Sequence, residues 1–184
     1  MSSLDASTRH MLLQMAREAI ASDLFGTPPS DRLTVSSDLP CSGVFVTLRR
    51  QGRLRGCIGT FESSSDLART IRTMAVSAAH DPRFIEMPIG ADEISRLEIE
   101  ISVLSPLKKI SDPLDFELGR HGIYIRRGYA SGCFLPDVAT EHGWSREVFL
   151  SECCSHKAGL EPTAWKDPTT EIFVFTAEKF SSGA

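Results

Sequence analysis

Residues 43–61 read GVFVTLRRQGRLRGCIGTF. Two runs of strand character flank Gln51 and Gly52, a pair with turn chemistry, so the stretch predicts a β-hairpin. The second arm is the unusual one. Where a strand ordinarily carries branched apolar residues it holds Arg53, Arg55, Gly56, Cys57 and Gly59. Strand alternation places Leu54, Gly56 and Ile58 toward one face and Arg53, Arg55, Cys57 and Gly59 toward the other. Arg55 and Cys57 would then stand roughly 7 Å apart at the backbone. A guanidinium at that range favours the thiolate, the form that attacks electrophiles or binds metal. Glycine inside a strand marks a bulge or the close approach of a ligand or another backbone. Gly56 and Gly59 therefore read either as access to Cys57 or as room for a helix packed beside a small buried thiol, and the residues weigh the two evenly.

Working outward, residues 63–84 (SSSDLARTIRTMAVSAAHDPRF) carry Leu67, Ile71, Met74, Ala75 and Ala78 at helical spacing. Ser63 and Asp66 have capping-box spacing and Pro82 supplies a stop, which completes a β-β-α unit. Upstream, Leu12, Met15, Ala16, Ala19 and Ile20 predict an amphipathic helix that Ser7 can cap and that Gly26, Pro28 and Pro29 end. Residues 27–41 read as a long connection. Downstream, LEIEISVLS (97–105) alternates as a half-buried strand, and residues 121–136 predict two strands joined around Gly128. Ser145 can cap a helix through Ala158 with Gly159 at its stop, and EIFVFTAEKF (171–180) reads as one closing strand. Strands in hairpins interrupted by a few helices point to an α+β fold.

Composition bounds the function. The 184 residues suffice for one buried core, or for two small lobes, and 41% hydrophobic with 24% charged residues is the mix of a globular domain. A net charge of −4 argues against a general nucleic-acid binder, which needs a basic face. Arg49, Arg50, Arg53 and Arg55 could form a local basic pocket, although a solvated hairpin tip accounts for most of them. The five cysteines, 41, 57, 133, 153 and 154, have neither C-x-x-C nor disulfide-framework spacing, which points to reduced thiols and a cytoplasmic setting. The N-terminal segment mixes charges into its apolar pattern, unlike a signal peptide, and no run approaches a membrane span.

Six ordered segments carry a resemblance: LRGCIGTF (54–61), HDPRF (80–84), LEIEISVLSP (97–106), HGIYI (121–125), FLPDVATEHGW (134–144) and KAGLEPTAW (157–165). Together they resemble the AMMECR domain family, whose signature is an L-R-G-C-I-G segment. The resemblance implies one AMMECR-type domain over 1–184, two-lobed and α+β, with mostly antiparallel or mixed sheets, helices packed on one face and a cleft between lobes. An approximate division is a smaller lobe at 40–95 and a larger one of 1–39 with 96–184. It also implies a largely uncharacterised activity, since members are often encoded beside Memo-like and radical SAM proteins, which suggests a shared modification pathway with those partners. Carried across residue by residue, the signature falls on Leu54, Arg55, Gly56, Cys57, Ile58 and Gly59. Asp81, Arg83, His121, Gly122, Leu135 and Pro136 are the positions expected to complete a site. Asp137 and His142 depart from the family pattern and are poor candidates for shared chemistry.

The expectation is a cleft built on Arg55 and Cys57. Cys57 would be nucleophile or thiolate, Arg55 its stabilising charge and His121 its base, with His80 as runner-up. Gly56, Gly59, Asp81 and Arg83 would bind substrate or partner, although Asp81 and Arg83 could equally be a local ion pair ordering the helix exit. The rival is a non-catalytic groove for a protein or peptide. Glu98 and Glu100 fit a solvent-facing side of a sheet, and Cys153, Cys154 and His156 lack the separated pairs of a zinc site, so no metal and no cofactor are expected. Trp144 and Trp165 read as core anchors around the last helix.

Overall fold

The structure, a computed structural model, describes residues 4–28, 42–61 and 66–182. The long connection at 29–41, Cys41 and the Ser63 cap lie outside the described residues. The elements run α1 (Ala6–Phe25), β1 (Gly43–Arg50), β2 (Arg53–Thr60), α2 (Leu67–Ala79), β3 (Glu98–Leu104), β4 (Lys108–Ile110), β5 (Gly122–Arg127), β6 (Ala130–Phe134), α3 (Pro136–His142), α4 (Arg146–His156), β7 (Glu171–Phe175) and β8 (Ala177–Ser181). Short 3-10 turns occupy Pro82–Phe84, Ile94–Arg96 and Ala164–Lys166. Two four-stranded antiparallel sheets with helices make the chain α+β, as the hairpin pattern predicted. No helix among the described residues is long and apolar enough to cross a membrane.

The chain divides into two units, Met1–Leu104 with Glu178–Ala184, and Ser105–Ala177. A boundary at 95/96 would run through the first unit, because β3 pairs along β1 from Gly43↔Leu104 to Arg49↔Glu98. The last ten-residue alternation is also divided. EIFVFTAEKF forms two strands, β7 in the second unit's sheet and β8 at the edge of the first unit's. The break falls at Thr176, whose N–H donates to Ser105 Oγ at 3.0 Å while its carbonyl accepts the Ser105 N–H. Alternation reports a strand but carries no mark of which sheet a residue pairs into.

In the first unit the order is β2-β1-β3-β8, which leaves β2 at an edge. Gln51 and Gly52 both have positive φ, 50° and 73°, as a tight two-residue hairpin turn requires. Val44, Val46 and Leu48 of β1 and Ile99, Ile101 and Val103 of β3 are fully buried in one core with Leu12, Ile20, Leu67 and Ile71 of α1 and α2. Asp5, rather than Ser7, caps α1 by accepting the Thr8 N–H at 2.8 Å, and Gly26 ends that helix at φ 67°. Asp66 caps α2 by accepting the Arg69 N–H.

In the second unit the order is β4-β7-β5-β6, and Phe149, Leu150, Cys153 and Cys154 of α4 are fully buried in a core with Ile123, Ile125 and Trp165. The adjacent cysteines are thus core residues on a helix capped by Ser145. Trp165 is buried and donates Nε1–H to Ser151 Oγ at 3.0 Å, and Trp144 packs on Phe134.

Candidate functional site

Cys57 sits in the middle of β2, and the register that places it is not the one the turn alone would set. Arg50 pairs with Arg53 and Arg49 with Leu54, but Leu48 pairs with Gly56. Arg55 is the extra residue of a β-bulge. Without the bulge Cys57 would oppose Val46, on the core face. With it, Cys57 opposes Thr47, on the face away from α2. The Thr47 hydroxyl donates to Cys57 Sγ at 3.3 Å, and the thiol is half-buried.

Because β2 is an edge strand, the main chain of Cys57 has no strand on its outer side. The HDPRF segment takes that place. Asp81, just past the end of α2, accepts the Cys57 N–H on Oδ2 at 2.9 Å, and Arg83 Nη2 donates to the Cys57 carbonyl at 3.1 Å. The two side chains are joined to each other. Arg83 Nη2 donates to Asp81 Oδ2 at 2.6 Å and Nε donates to Oδ1 at 3.0 Å, while the Arg83 N–H also donates to Oδ1. Asp81 is 2% exposed, and the Arg83 hydrogen bonds hold its carboxyl down to about 2, helped by the Cys57 and Arg83 N–H groups against the cost of burial. The same pairing raises Arg83, with a smaller contribution from the nearby Cys57. Asp81 and Arg83 are therefore both an ion pair at the helix exit and a clamp on the Cys57 peptide.

The bracketing glycines have separate reasons. A Cβ at Gly56 would run into the carbonyl oxygen of Ala78, so Gly56 lets α2 pack on the strand. A Cβ at Gly59 would run into the ring of Phe45, which packs edge-on with Phe61 at 5.6 Å. Room for a helix is thus the role of the first glycine, and room for a ring that of the second.

Arg55 has a different partner from the one alternation suggests. Its guanidinium donates to Glu93 through Nη2 at 3.0 Å and Nε at 3.3 Å, and to the Pro88 carbonyl at 3.2 Å. Arg50 joins Glu93 at 2.7 Å. Two of the four clustered arginines thus share one carboxylate, while Arg49 and Arg53 are exposed at the hairpin tip. The guanidinium bonded at Cys57 belongs to Arg83. His80 Nε2 lies 2.6 Å from Asp23 on α1. His121 belongs to the second unit, and its Nδ1 accepts the Glu117 N–H at 3.0 Å. That bond occupies the lone pair a base would use, so a neutral His121 in this arrangement is a donor through Nε2. Gly122, beside it, is buried where a Cβ would meet the Phe175 ring. His142 Nδ1 lies 3.0 Å from the Val138 carbonyl and its ring lies against Trp144. Among the described residues no group of three or more His, Cys, Asp or Glu is placed to hold a metal ion.

The AMMECR1 family model matches residues 13–180, a span that contains the bulged strand, the clamp and both sheets. The chain belongs to the AMMECR1 family. Its relatives include a protein of Methanothermobacter thermautotrophicus, 40% identical over 181 residues covering 92% of this chain and 91% of that one. Another, protein MK0488 of Methanopyrus kandleri, is 42% identical over 184 residues covering 92% and 86%. Among solved structures, the crystal structure of the uncharacterized protein PH0010 from Pyrococcus horikoshii is similar at a TM-score of 0.84 and 35% identity, covering 97% of this chain and 93% of that one. The AMMECR1 fold therefore holds across nearly the whole chain, while the names of these relatives assign no reaction.

Thr47 and Glu93 are the participants that sequence reasoning missed. Thr47 could have been found from the hairpin only with knowledge of the bulge, which has no residue signature of its own. Glu93 lies 38 positions from Arg55, and ion pairs at that distance leave no periodic trace.

Proposed function

We propose that this AMMECR1-family chain is a thiol-dependent enzyme in which Cys57 is the nucleophile. One observation carries the reading: Cys57 is held by its N–H, its C=O and its sulfur at once, through Asp81, Arg83 and Thr47. The main-chain pair fixes the backbone at position 57, and the hydroxyl on the sulfur is a directed polar bond that a cysteine serving only as a small hydrophobe does not need. Preorganisation of a half-buried thiol beside a guanidinium is what nucleophilic catalysis requires, because the thiolate is the attacking form. In this reading Arg83 supplies the positive charge, Thr47 donates to the sulfur, and Arg55 with Glu93 keeps the bulge in place. We set the reaction in a modification pathway with Memo-like and radical SAM proteins on the family resemblance alone.

The test is site-resolved alkylation by iodoacetamide at fixed pH, followed by mass spectrometry, in a Cys41→Ser, Cys133→Ser background. The reading expects Cys57 to label in the folded protein, Arg83→Gln to slow labelling several-fold and Arg55→Gln to leave it nearly unchanged. A Cys57 that labels only on unfolding would sink the proposal.

A second reading rests on a different observation. Ile85 and Met87, on the segment after the clamp, are 80% and 56% exposed. Such apolar exposure beside the motif suits a module that receives a protein or peptide. Partner capture that survives Cys57→Ser and is lost in Ile85→Asp would favour binding over catalysis.

A further inference from the structure

Within residues 105–177 lies a hollow of about 330 Å³, at the lower end of the size range of small-molecule sites. His121 lines it, and its tautomer is set by the Glu117 N–H on Nδ1, so the ring edge left for a ligand is the Nε2–H donor. Lys108 of β4, directly opposite Val174 of β7, lines it too, as does Arg146 in the first turn of α4. Neither cation has a carboxylate at ion-pair distance among the described residues. The Arg146 guanidinium instead lies 6.0 Å from the Phe116 ring centroid. Of the two acids in the lining, Glu117 is paired with Arg120 at 3.1 Å, which leaves Asp115 against two cations. At the start of α4 the carboxylate of Glu147, lowered by its own N–H, by the Ser145 hydroxyl it accepts at 2.9 Å and in part by Arg146, offsets the positive helix end. The rest of the lining is apolar, with Phe116 and Val174 buried and Leu114 partly so.

We infer that this hollow binds a small carboxylate with an apolar body. The carboxylate is held by His121 Nε2–H, Arg146 and Lys108, and the body rests on Leu114, Phe116 and Val174. The hollow is mostly polar with a small apolar floor, and each charge-assisted bond favours the anion over a neutral isostere.

The test uses the full chain, uniformly labelled with ¹⁵N, titrated with N-acetyl-leucine and separately with N-acetyl-leucinamide. The inference expects saturable shifts concentrated at residues 108–121, 146 and 174, with the amide binding roughly tenfold more weakly than the acid. Lys108 and Arg146 are exposed, so Lys108→Gln and Arg146→Gln leave the fold intact. Each should weaken the acid and leave the amide unchanged. Equal affinity for acid and amide, shifts concentrated elsewhere, or no saturable shift at the solubility limit of the acid would each overturn the inference.

Discussion

Cys57 and Cys153 are both placed by regular secondary structure, yet their surroundings are opposite. Cys153 lies on α4, fully buried among Phe149, Leu150 and Ile123, and burial pushes its thiol far up, with Cys154 raised for the same reason. Cys57 lies on an edge strand with a hydroxyl on its sulfur and an ion pair on its peptide. The first is a small hydrophobe that happens to contain sulfur. The second is a thiol whose position is over-determined by polar bonds. The two differ in exposure, one half-buried and the other fully buried, and more sharply in what surrounds them. What separates them here is whether the neighbours are apolar atoms or directed donors and acceptors.

The strongest way to break that contrast is to remove the fit that seats β2 on α2. Gly56→Ala drives a methyl group into the Ala78 carbonyl, a backbone atom that cannot rotate away, and should cost about 3 kcal/mol in urea denaturation. It should also expose Cys57 by displacing its strand from the clamp. Retention of wild-type stability would mean that the close approach of α2 to the strand is not present in solution.

Next in size is the clamp itself. Asp81 is depressed from 3.8 to about 2, so the stability it contributes is present above about pH 4 and is lost as pH falls through about 2. Asp81→Asn should therefore cost about 2 kcal/mol at pH 6 and flatten the loss of stability between pH 4 and 2. Parallel pH profiles for wild type and variant would contradict the pairing.

The smaller effect separates the two cysteines directly. Cys153→Ser buries a hydroxyl in an apolar core and should cost about 1–2 kcal/mol. Cys57→Ser keeps a partner in Thr47 and should cost about 0.5 kcal/mol or less in the same thermal or chemical melt. A reversal of that order would remove the contrast between the two environments.

Much of the fold was legible because it rests on local rules. Gln51 and Gly52 announced the hairpin, Ser145 announced a helix start, and the alternation at 97–105 gave β3 nearly to the residue, whereas Asp66, read as the partner of a Ser63 cap, is itself the cap of α2. The cap of α1 was misread because Asp5 and Ser7 are both competent caps and lie two positions apart. EIFVFTAEKF was read as one strand because nothing local marks Thr176 as the point where the pairing changes sheet. The short β4 and α3 carry too few residues for periodicity to declare them.

Part of the candidate site was legible in its residues but not in its wiring. Cys57, Asp81 and Arg83 were all visible as candidates, and the structure joins them. The bulge at Arg55 was not visible, and it decides that Arg55 goes to Glu93 and that Thr47 meets the sulfur. Beyond the bulge the facing given by alternation holds, with Gly56 and Ile58 toward the core and Cys57 and Gly59 away from it; the extra residue changes which residue each one meets across the ladder.

The Asp81–Arg83 pair clamps the peptide of Cys57 at an otherwise open strand edge. Amide hydrogen exchange of Cys57 tests it most directly, since an edge-strand N–H with no acceptor exchanges rapidly while one bonded to a buried carboxylate does not. The Cys57 amide should be protected in the native protein and exchange much faster in Asp81→Ala and Arg83→Gln, while the Val46 amide stays protected. Rapid exchange at Cys57 in the unaltered protein would contradict it.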